Sequence, residues 1–368
     1  MRDAGFGGVT RSQRQLRRGW TTGACATAAA SAAFAALATG RFPDPVTITL
    51  PRGECPSFAL HGRQLGDGWA MASVVKDAGD DPDVTHGAVI ETRVAHGSPG
   101  SGIVFKAGQG VGTVTKPGLP LAVGEPAINP APRRMIVEAI GKLAAHHRVA
   151  ADVEIEIAVP GGEQLAERTW NPRLGILGGI SILGTSGIVV PYSCSAWIHS
   201  IQRGIDVARA TGIRHVVGCT GNTSEQAARA LFSLGEEAMI DMGDFVGGML
   251  KYLRRHPIER VTVAGGFAKL SKLAQGALDL HSKRSQVGVA WLAGHLAALG
   301  AAPPLVRQAE RANTAMEVLT LAEKERLPLA AMIANEAKTV AQEVLGDVPV
   351  ALDVVVFDRQ GLLAGRSA

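Results

Sequence analysis

The stretch from Ile213 to Asp244 limits what this 368-residue chain can fold into more than any other. A β-branched run, His215-Val216-Val217, stops at Gly218-Cys219-Thr220-Gly221-Asn222, and Thr223-Ser224-Glu225-Gln226 follows. Thr223 and Gln226 have the spacing of a capping box, which predicts a helix from there through Leu231. A second short run, Ala238-Met239-Ile240, ends on Asp241. Strand, glycine turn, helix, strand and terminal carboxylate make half of a nucleoside-binding α/β unit. Glycines let a ligand approach the backbone, and a helix N-terminus offers free N–H groups. An acid about 20 residues further on can accept from ribose hydroxyls. Gly218, Thr220, Gly221, Asn222 and Asp241 are therefore candidate ligand-binding residues. Gly218-x-x-Gly221 is shorter than a dinucleotide fingerprint, so the turn alone fits an ordinary βα connection as well as an adenosine-type ligand.

The surrounding chain favours the ligand. Trp197, Ile201, Ile205 and Ala208 sit at helical spacing, and Asp244 reads as the cap of a helix that ends before Pro257. Val261 to Ala264 reads as a strand ending on Gly265-Gly266, followed by a helical face of Leu270, Leu273, Ala274, Ala277 and Leu278. The chain then reads as helical to about Leu345, and a strand near Val350 to Phe357 closes it. Such alternation implies a parallel sheet with right-handed crossovers and a ligand at the carboxyl ends of its strands. The loops after Val217, Ile240 and Ala264 then share one rim, which adds Gly265 and Gly266 to the site.

The first half has a different grain. Residues 1–17 read as a flexible basic arm, with Arg11, Arg14 and Arg17. Trp20-Thr21-Thr22-Gly23 opens an alanine-rich helix to about Thr39, with Gly40 as its stop. Thr21 and Thr22 either cap that helix or bind a carboxylate at its positive end. Strand candidates follow at Val46 to Leu50, near Phe58, and at Met71–Val75, Val89–Val94 and Ile103–Phe105. Between them runs Lys76-Asp77-Ala78-Gly79-Asp80-Asp81-Pro82-Asp83, a loop so acidic that it needs a ligand N–H, a cation or nearby Lys76 as partner. Gly108, Gly110 and Gly112 suggest amides presented to an anion. A helix from about Arg133 to His146 precedes the clearest amphipathic strand, in which Val153, Ile155 and Ile157 alternate with Glu154 and Glu156. The expected fold is thus an α+β domain with a mixed sheet over residues 1–186, followed by an α/β Rossmann-like domain with a mainly parallel sheet over 187–368.

Several classes are disfavoured. A net charge of +4 with 4% aromatic residues gives little support for nucleic-acid binding. No apolar run reads as reaching the roughly 18 residues that span a bilayer, and no signal-peptide pattern is evident. Cys25, Cys55, Cys194 and Cys219 are widely separated with no Cys-x-x-Cys. That argues against a disulfide framework or a zinc site and suits a reducing cytoplasm. A homo-oligomer is neither implied nor excluded.

The order of the longer motifs resembles the cobalt-precorrin-5B C1-methyltransferase family. It is carried by Arg18-Gly19-Trp20-Thr21-Thr22-Gly23-Ala24-Cys25, the Lys76 to Thr85 loop, Gly110 to Pro120 and Gly124-Glu125-Pro126-Ala127-Ile128-Asn129-Pro130. Asn171-Pro172-Arg173-Leu174-Gly175 through Thr185, Gly265-Gly266-Phe267-Ala268-Lys269-Leu270 and His281-Ser282 complete it. The resemblance implies methyl transfer from S-adenosylmethionine to C1 of a cobalt-containing corrin precursor, with cobalt present only as part of the substrate and no metal site in the protein. It implies that Gly218, Gly221 and Asp241 serve the donor. Thr21, Thr22, Lys76, Asp77, Lys116 and Lys269 are candidates for the carboxylate-fringed acceptor, from a wider pool of cations that includes Arg173. His281, Asp80 or Asp81 could handle a proton. A dinucleotide-dependent oxidoreductase and a non-catalytic tetrapyrrole carrier are the rival readings.

Overall fold

In the computed structural model, which describes residues 16–368, Thr21 accepts a hydrogen bond from the Ala24 amide and so starts helix α1, Thr22–Thr39. Gly40 ends it in the left-handed region. The expected arm over residues 1–17 lies almost wholly outside the described residues. Every residue of α1 from Thr22 to Ala36 is buried. Small side chains make that burial feasible, and two of the polar ones bond within the helix: Thr27 donates to the Gly23 carbonyl and Ser31 to that of Thr27. By length and composition α1 could cross a membrane, contrary to the expectation that no such run exists, but it is packed inside the protein.

α1 lies against helix α2, Pro130–His147, and on a five-stranded sheet. The strands are β1 Gly62–Gly66, β2 Trp69–Val75, β3 Val89–His96, β4 Ile103–Ala107 and β5 Val153–Ala158. Their order is β1-β2-β3-β5-β4, antiparallel except for the parallel β5–β4 pair. Val153, Ile155 and Ile157 of β5 face the core with Ala70, Ala72, Ile90 and Val94, while Glu154 and Glu156 stay partly exposed. These elements form one unit with the chain up to Thr113, Pro126–Thr169 and Leu177–Ser193.

The second unit takes Val114–Glu125, Trp170–Ile176 and Cys194–Ala368, so two segments that precede residue 187 belong with it. Its elements are α3 Cys194–Ala210, β6 His215–Cys219, α4 Asn222–Phe232, β7 Met239–Asp241, α5 Val246–Arg255 and β8 Arg260–Gly266. Next come α6 Phe267–Ala274, α7 Val289–Ala298, α8 Pro303–Glu310, α9 Ala315–Lys324, α10 Leu329–Leu345, β9 Ala351–Phe357 and β10 Leu363–Arg366. The sheet order is β7-β6-β8-β9-β10, parallel throughout except for β10. Both faces are covered. Val216, Val261, Val263, Val354 and Val356 pack with α5, α6 and α10, whereas Val217, Cys219, Ala264 and Val355 pack with Ala228 of α4. The whole is a mixed α/β fold in which all four cysteines are free.

Four local expectations are corrected. α4 starts at Asn222, capped by Gly221, so Thr223 is already helical; Gln226 reaches back to the Asn222 side chain instead of closing a capping box. Phe245, not Asp244, precedes α5. α6 stops at Ala274, because Gly276 takes a positive φ of 90°. The last strand is β10, which returns antiparallel on β9.

The tightness of α1 is testable. Ala29→Leu adds three carbons at a fully buried position, and overpacking of that kind costs about 1–3 kcal/mol. Urea unfolding should show that loss, and a wild-type midpoint would contradict the packing described.

Candidate functional site

Strand order reverses at β6. The chain leaves it through α4 to β7 on one side, and a later crossover brings β8 to the other side. In a parallel sheet that reversal leaves a crevice at the carboxyl ends of the two adjacent strands, here β6 and β8. Cys219 pairs with Ala264, and the Thr220 amide donates to the Ala264 carbonyl at 3.0 Å. Gly221 and Gly266 cap α4 and α6, and neither helix start has a side-chain cap. Amide N–H groups at both starts therefore face water or a ligand.

The glycines divide by role. A Cβ at Gly221 or at Gly266 would meet no atom within 4 Å. Gly221 is extended, with φ 160° and ψ 176°, so backbone strain does not explain its lack of a side chain. At Gly265 a Cβ would come within 2.7 Å of the Thr220 methyl, which makes it a close-approach position between the two loops. Gly218 lies inside β6, where a Cβ would stand 2.4 Å from the Met249 thioether. Gly218, expected as a ligand-binding glycine, thus has a packing reason to be glycine. Asn222 is the first residue of α4.

Asp241 is the last residue of β7. Its Oδ1 accepts from the Gly243 amide at 3.2 Å, and its carbonyl accepts from the Trp197 indole at 3.0 Å. Burial pushes its carboxyl above the usual range; Glu225 adds to the shift, and the Gly243 bond, Arg173 and Lys269 oppose it. It lines a small cleft with Trp170, Arg173, Leu174, Ser200 and Glu237. Lys269, in the first turn of α6, donates to the Thr220 carbonyl at 2.7 Å and stands 3.1 Å from Asp244 Oδ1. Its ammonium ties the loop after β6 to the loop after β7, so this candidate for an acceptor carboxylate already has two oxygen partners within the protein.

Other expected residues are committed elsewhere. Thr21 is spent on its cap, and the Thr22 hydroxyl exchanges hydrogen bonds with the backbone of Leu183. Both are buried, so the capping alternative describes Thr21. Lys76 is 1% exposed and donates to Asp83 at 2.7 Å, an internal pair and not a surface cation. Asp77 is held to about 2 by the Arg17 guanidinium and by the Gly79 amide. Asp80 accepts from the Arg17 amide at 2.7 Å and Asp81 from the Tyr192 amide at 2.8 Å. The acidic loop thus has protein partners for all four carboxylates. Lys116 is half-buried, its stem lying over Gly175, where a Cβ would come within 2.4 Å of it. His281 is exposed in a turn where its Nδ1 accepts from the Lys283 amide at 3.2 Å. Leu280 anchors that turn through its amide to the Asp244 carbonyl.

Sequence reasoning missed one cluster. Arg173, seen only as a candidate surface cation, pairs with both carboxylate oxygens of Glu225 and with Glu236. The partners lie 52 and more residues away along the chain, and local spacing carries no signal for such a contact.

Comparison with known proteins gives a consistent picture. A family model described as CbiD matches residues 9–191, and one described as CbiD, C-terminal domain, matches residues 279–368. A protein of Paramagnetospirillum magneticum named cobalt-precorrin-5B C(1)-methyltransferase is 65% identical over 96% of this chain and 98% of its own length. Proteins with the same name from Rhodospirillum rubrum and Brucella anthropi are 67% and 59% identical, over 96% and 97% of this chain and 98% and 97% of theirs. A crystal structure of cobalamin biosynthesis protein (cbiD) from Archaeoglobus fulgidus matches at 30% identity and a TM-score of 0.39, covering 68% of this chain and 77% of its own.

The internal pair sets a stability test. Burial pushes the Asp83 carboxyl up, but the Lys76 charge and the bonds from Lys76 and Thr85 outweigh it and hold it low. A depressed carboxylate stabilises the fold above its unfolded value, about pH 4, and that contribution is lost as pH falls through the folded value. Lys76→Met strands the carboxylate and should cost about 3 kcal/mol at neutral pH. Adding Asp83→Asn should restore most of it. A Lys76→Met protein as stable as wild type would show that the pair does not support the loop.

Proposed function

Because the chain belongs to the CbiD family, we propose that it transfers a methyl group from S-adenosylmethionine to C1 of cobalt-precorrin-5B. The product is cobalt-precorrin-6A, in cobalamin biosynthesis in the cytoplasm, and cobalt enters only within the substrate. The second unit is read as Rossmann-like and holds the donor; the first supplies most contacts to the acceptor. The observation that carries the donor site is the open ground before Gly221 and Gly266, where strand order reverses.

The residues fit such a donor. It has a flat base, a ribose with two hydroxyls and a carboxylate-bearing tail. The amides at the starts of α4 and α6 can donate to its polar edge, and the missing side chains of Gly221 and Gly266 leave it room. Asp241 stands at the end of the strand beside β6, where an acid accepts from ribose hydroxyls. When bound, the donor would supply an electrophilic methyl on a sulfonium; the enamine-like C1 of the acceptor would take that methyl in line, with S-adenosylhomocysteine as the leaving group. The protein's part is to orient the two reactants and exclude water between them. Proton handling by His281, Asp80 or Asp81 is secondary: His281 is exposed, and the two aspartates already accept from backbone amides.

Titration calorimetry with S-adenosylhomocysteine tests this reading. Gly221→Val places its side chain in open space, so the variant should fold with an unchanged melting temperature and lose the ligand. Asp241→Asn should weaken binding by on the order of 10–100-fold, the worth of a charge-assisted bond. Its stability should hold or rise at pH 7. A raised carboxyl burdens the fold while ionised, and the burden lifts as pH falls below its folded value. For the same reason wild-type affinity should fall with pH before an ordinary carboxylate would protonate. An Asp241→Asn protein that binds like wild type removes this carboxylate from the site, and selective binding of NAD instead would favour an oxidoreductase.

A further inference from the structure

Arg173 is the centre of a cluster that the methyl-transfer chemistry does not itself call for. Its Nη1 and Nη2 donate to the two carboxylate oxygens of Glu225 at 3.0 and 2.6 Å, and its Nε lies 2.8 Å from Glu236. Its guanidinium also lies over the Trp170 ring, 4.9 Å from the centroid. All three nitrogens and one face of the plane are engaged, an arrangement that a lysine ammonium does not reproduce. Arg173 and Trp170 come from the Trp170–Ile176 segment, whereas Glu225 is in the first turn of α4 and Glu236 in the turn just before β7. One side chain therefore fastens both ends of the crossover from β6 to β7. Asp241 closes β7 and shares its cleft with Arg173.

We infer that Arg173 is a positioning residue for the donor site: by neutralising Glu225 and Glu236 it keeps the β6–α4–β7 unit, and Asp241 at its end, in the form that accepts a ribose. This rests on the donor site proposed above. The charges facing Asp241 come from every neighbouring element. Glu225 acts from α4, Arg173 from the Trp170–Ile176 segment and Lys269 from α6; Glu237 lines the same cleft. Glu225 is 7% exposed, so without Arg173 its charge would stand uncompensated near the partly buried Asp241 carboxylate. Burial pushes the Cys219 thiol, at the end of β6, upward most, and the same trio adds to it: Glu225 and Asp241 push it further up and Arg173 opposes them. Removing Arg173 should therefore raise the pH at which Asp241 ionises, and removing the Glu225 charge should lower it.

Two readouts test the inference, one of them free of any ligand. The first is the titration of the Asp241 carboxyl carbon by NMR in wild type, Arg173→Gln, Glu225→Gln and the double variant, with Asp241→Asn assigning the signal. The expected result is a midpoint about one pH unit higher in Arg173→Gln, lower in Glu225→Gln, and near wild type in the double variant. The second is S-adenosylhomocysteine affinity against pH. Arg173→Gln should bind more weakly, with the acid limb of its affinity displaced to higher pH by the same interval as the Asp241 midpoint, and adding Glu225→Gln should recover part of the loss. Arg173→Lys keeps the charge but not the fork, so it should restore the midpoint better than the affinity. An unmoved Asp241 midpoint in Arg173→Gln overturns the inference whatever the affinity does, because a merely structural arginine would lower stability without displacing the titration. If the midpoint moves as expected while Asp241→Asn binds normally, the charge coupling stands and the donor site assigned to it does not.

Discussion

The parallel register of β6 with β7 on one side and β8 on the other is the constraint on which the second unit depends. Two parallel neighbours require two crossovers, and right-handed crossovers to opposite sides leave no chain over the seam between β6 and β8. The seam is then floored by Thr220 and Gly265, which touch, and walled by the starts of α4 and α6. Lys269 spans the adjoining loops by bonding the Thr220 carbonyl and pairing with Asp244. A rigid floor with unfilled backbone donors is a consequence of strand order, before any side chain is chosen for chemistry.

The first unit solves a different problem. A helix buried along nearly its whole length cannot be amphipathic in the usual way, and α1 is alanine, glycine, serine and threonine except for Cys25, Phe34 and Leu37. Small side chains bring α2 and the sheet close from both sides, and the hydroxyls of Thr27 and Ser31 return to their own helix. The same close approach recurs at Gly19, where a Cβ would overlap the backbone of Ala78. That contact seats the acidic loop on the Gly19–Trp20 strand, which the Asp77 carbonyl joins by accepting from the Trp20 amide.

Legibility followed the range of the physics. Periodicity and caps act within a few residues, so α1 with its Thr21 cap and Gly40 stop, and the alternation of β5, could be read directly. So could the run of strands and helices from His215 to Gly266. Single-residue chemistry was less legible where two roles share one residue type. Gly218 and Gly221 are three residues apart, yet one makes room for Met249 and the other opens onto the crevice. Thr223 had the right spacing for a cap, but helix entry was decided by the extended Gly221 one step earlier. The Arg173–Glu225–Glu236 cluster joins a loop of the first half of the sequence to elements of the second, and no local pattern encodes that.

The aspartates show how partners, and not residue type, separate structure from function. Asp77 and Asp83 are held low because Arg17 and Lys76 answer their charge, and Asp80 and Asp81 accept from the backbone amides of Arg17 and Tyr192, far away along the chain. Asp241 has one amide, at 3.2 Å, and is pushed upward by the burial that surrounds it. A fold gains nothing by keeping an ionised group in such a place, and a neutral amide of the same shape would cost less. The donor site proposed for the second unit would give that carboxylate a use, since its position at the end of β7, beside the seam, is one from which an acid can accept from a ribose. On the proposed donor site the clamp on Glu225 has a purpose: the Arg173 charge offsets a neighbouring negative charge that pushes Asp241 toward its neutral form, a weaker acceptor for hydroxyls.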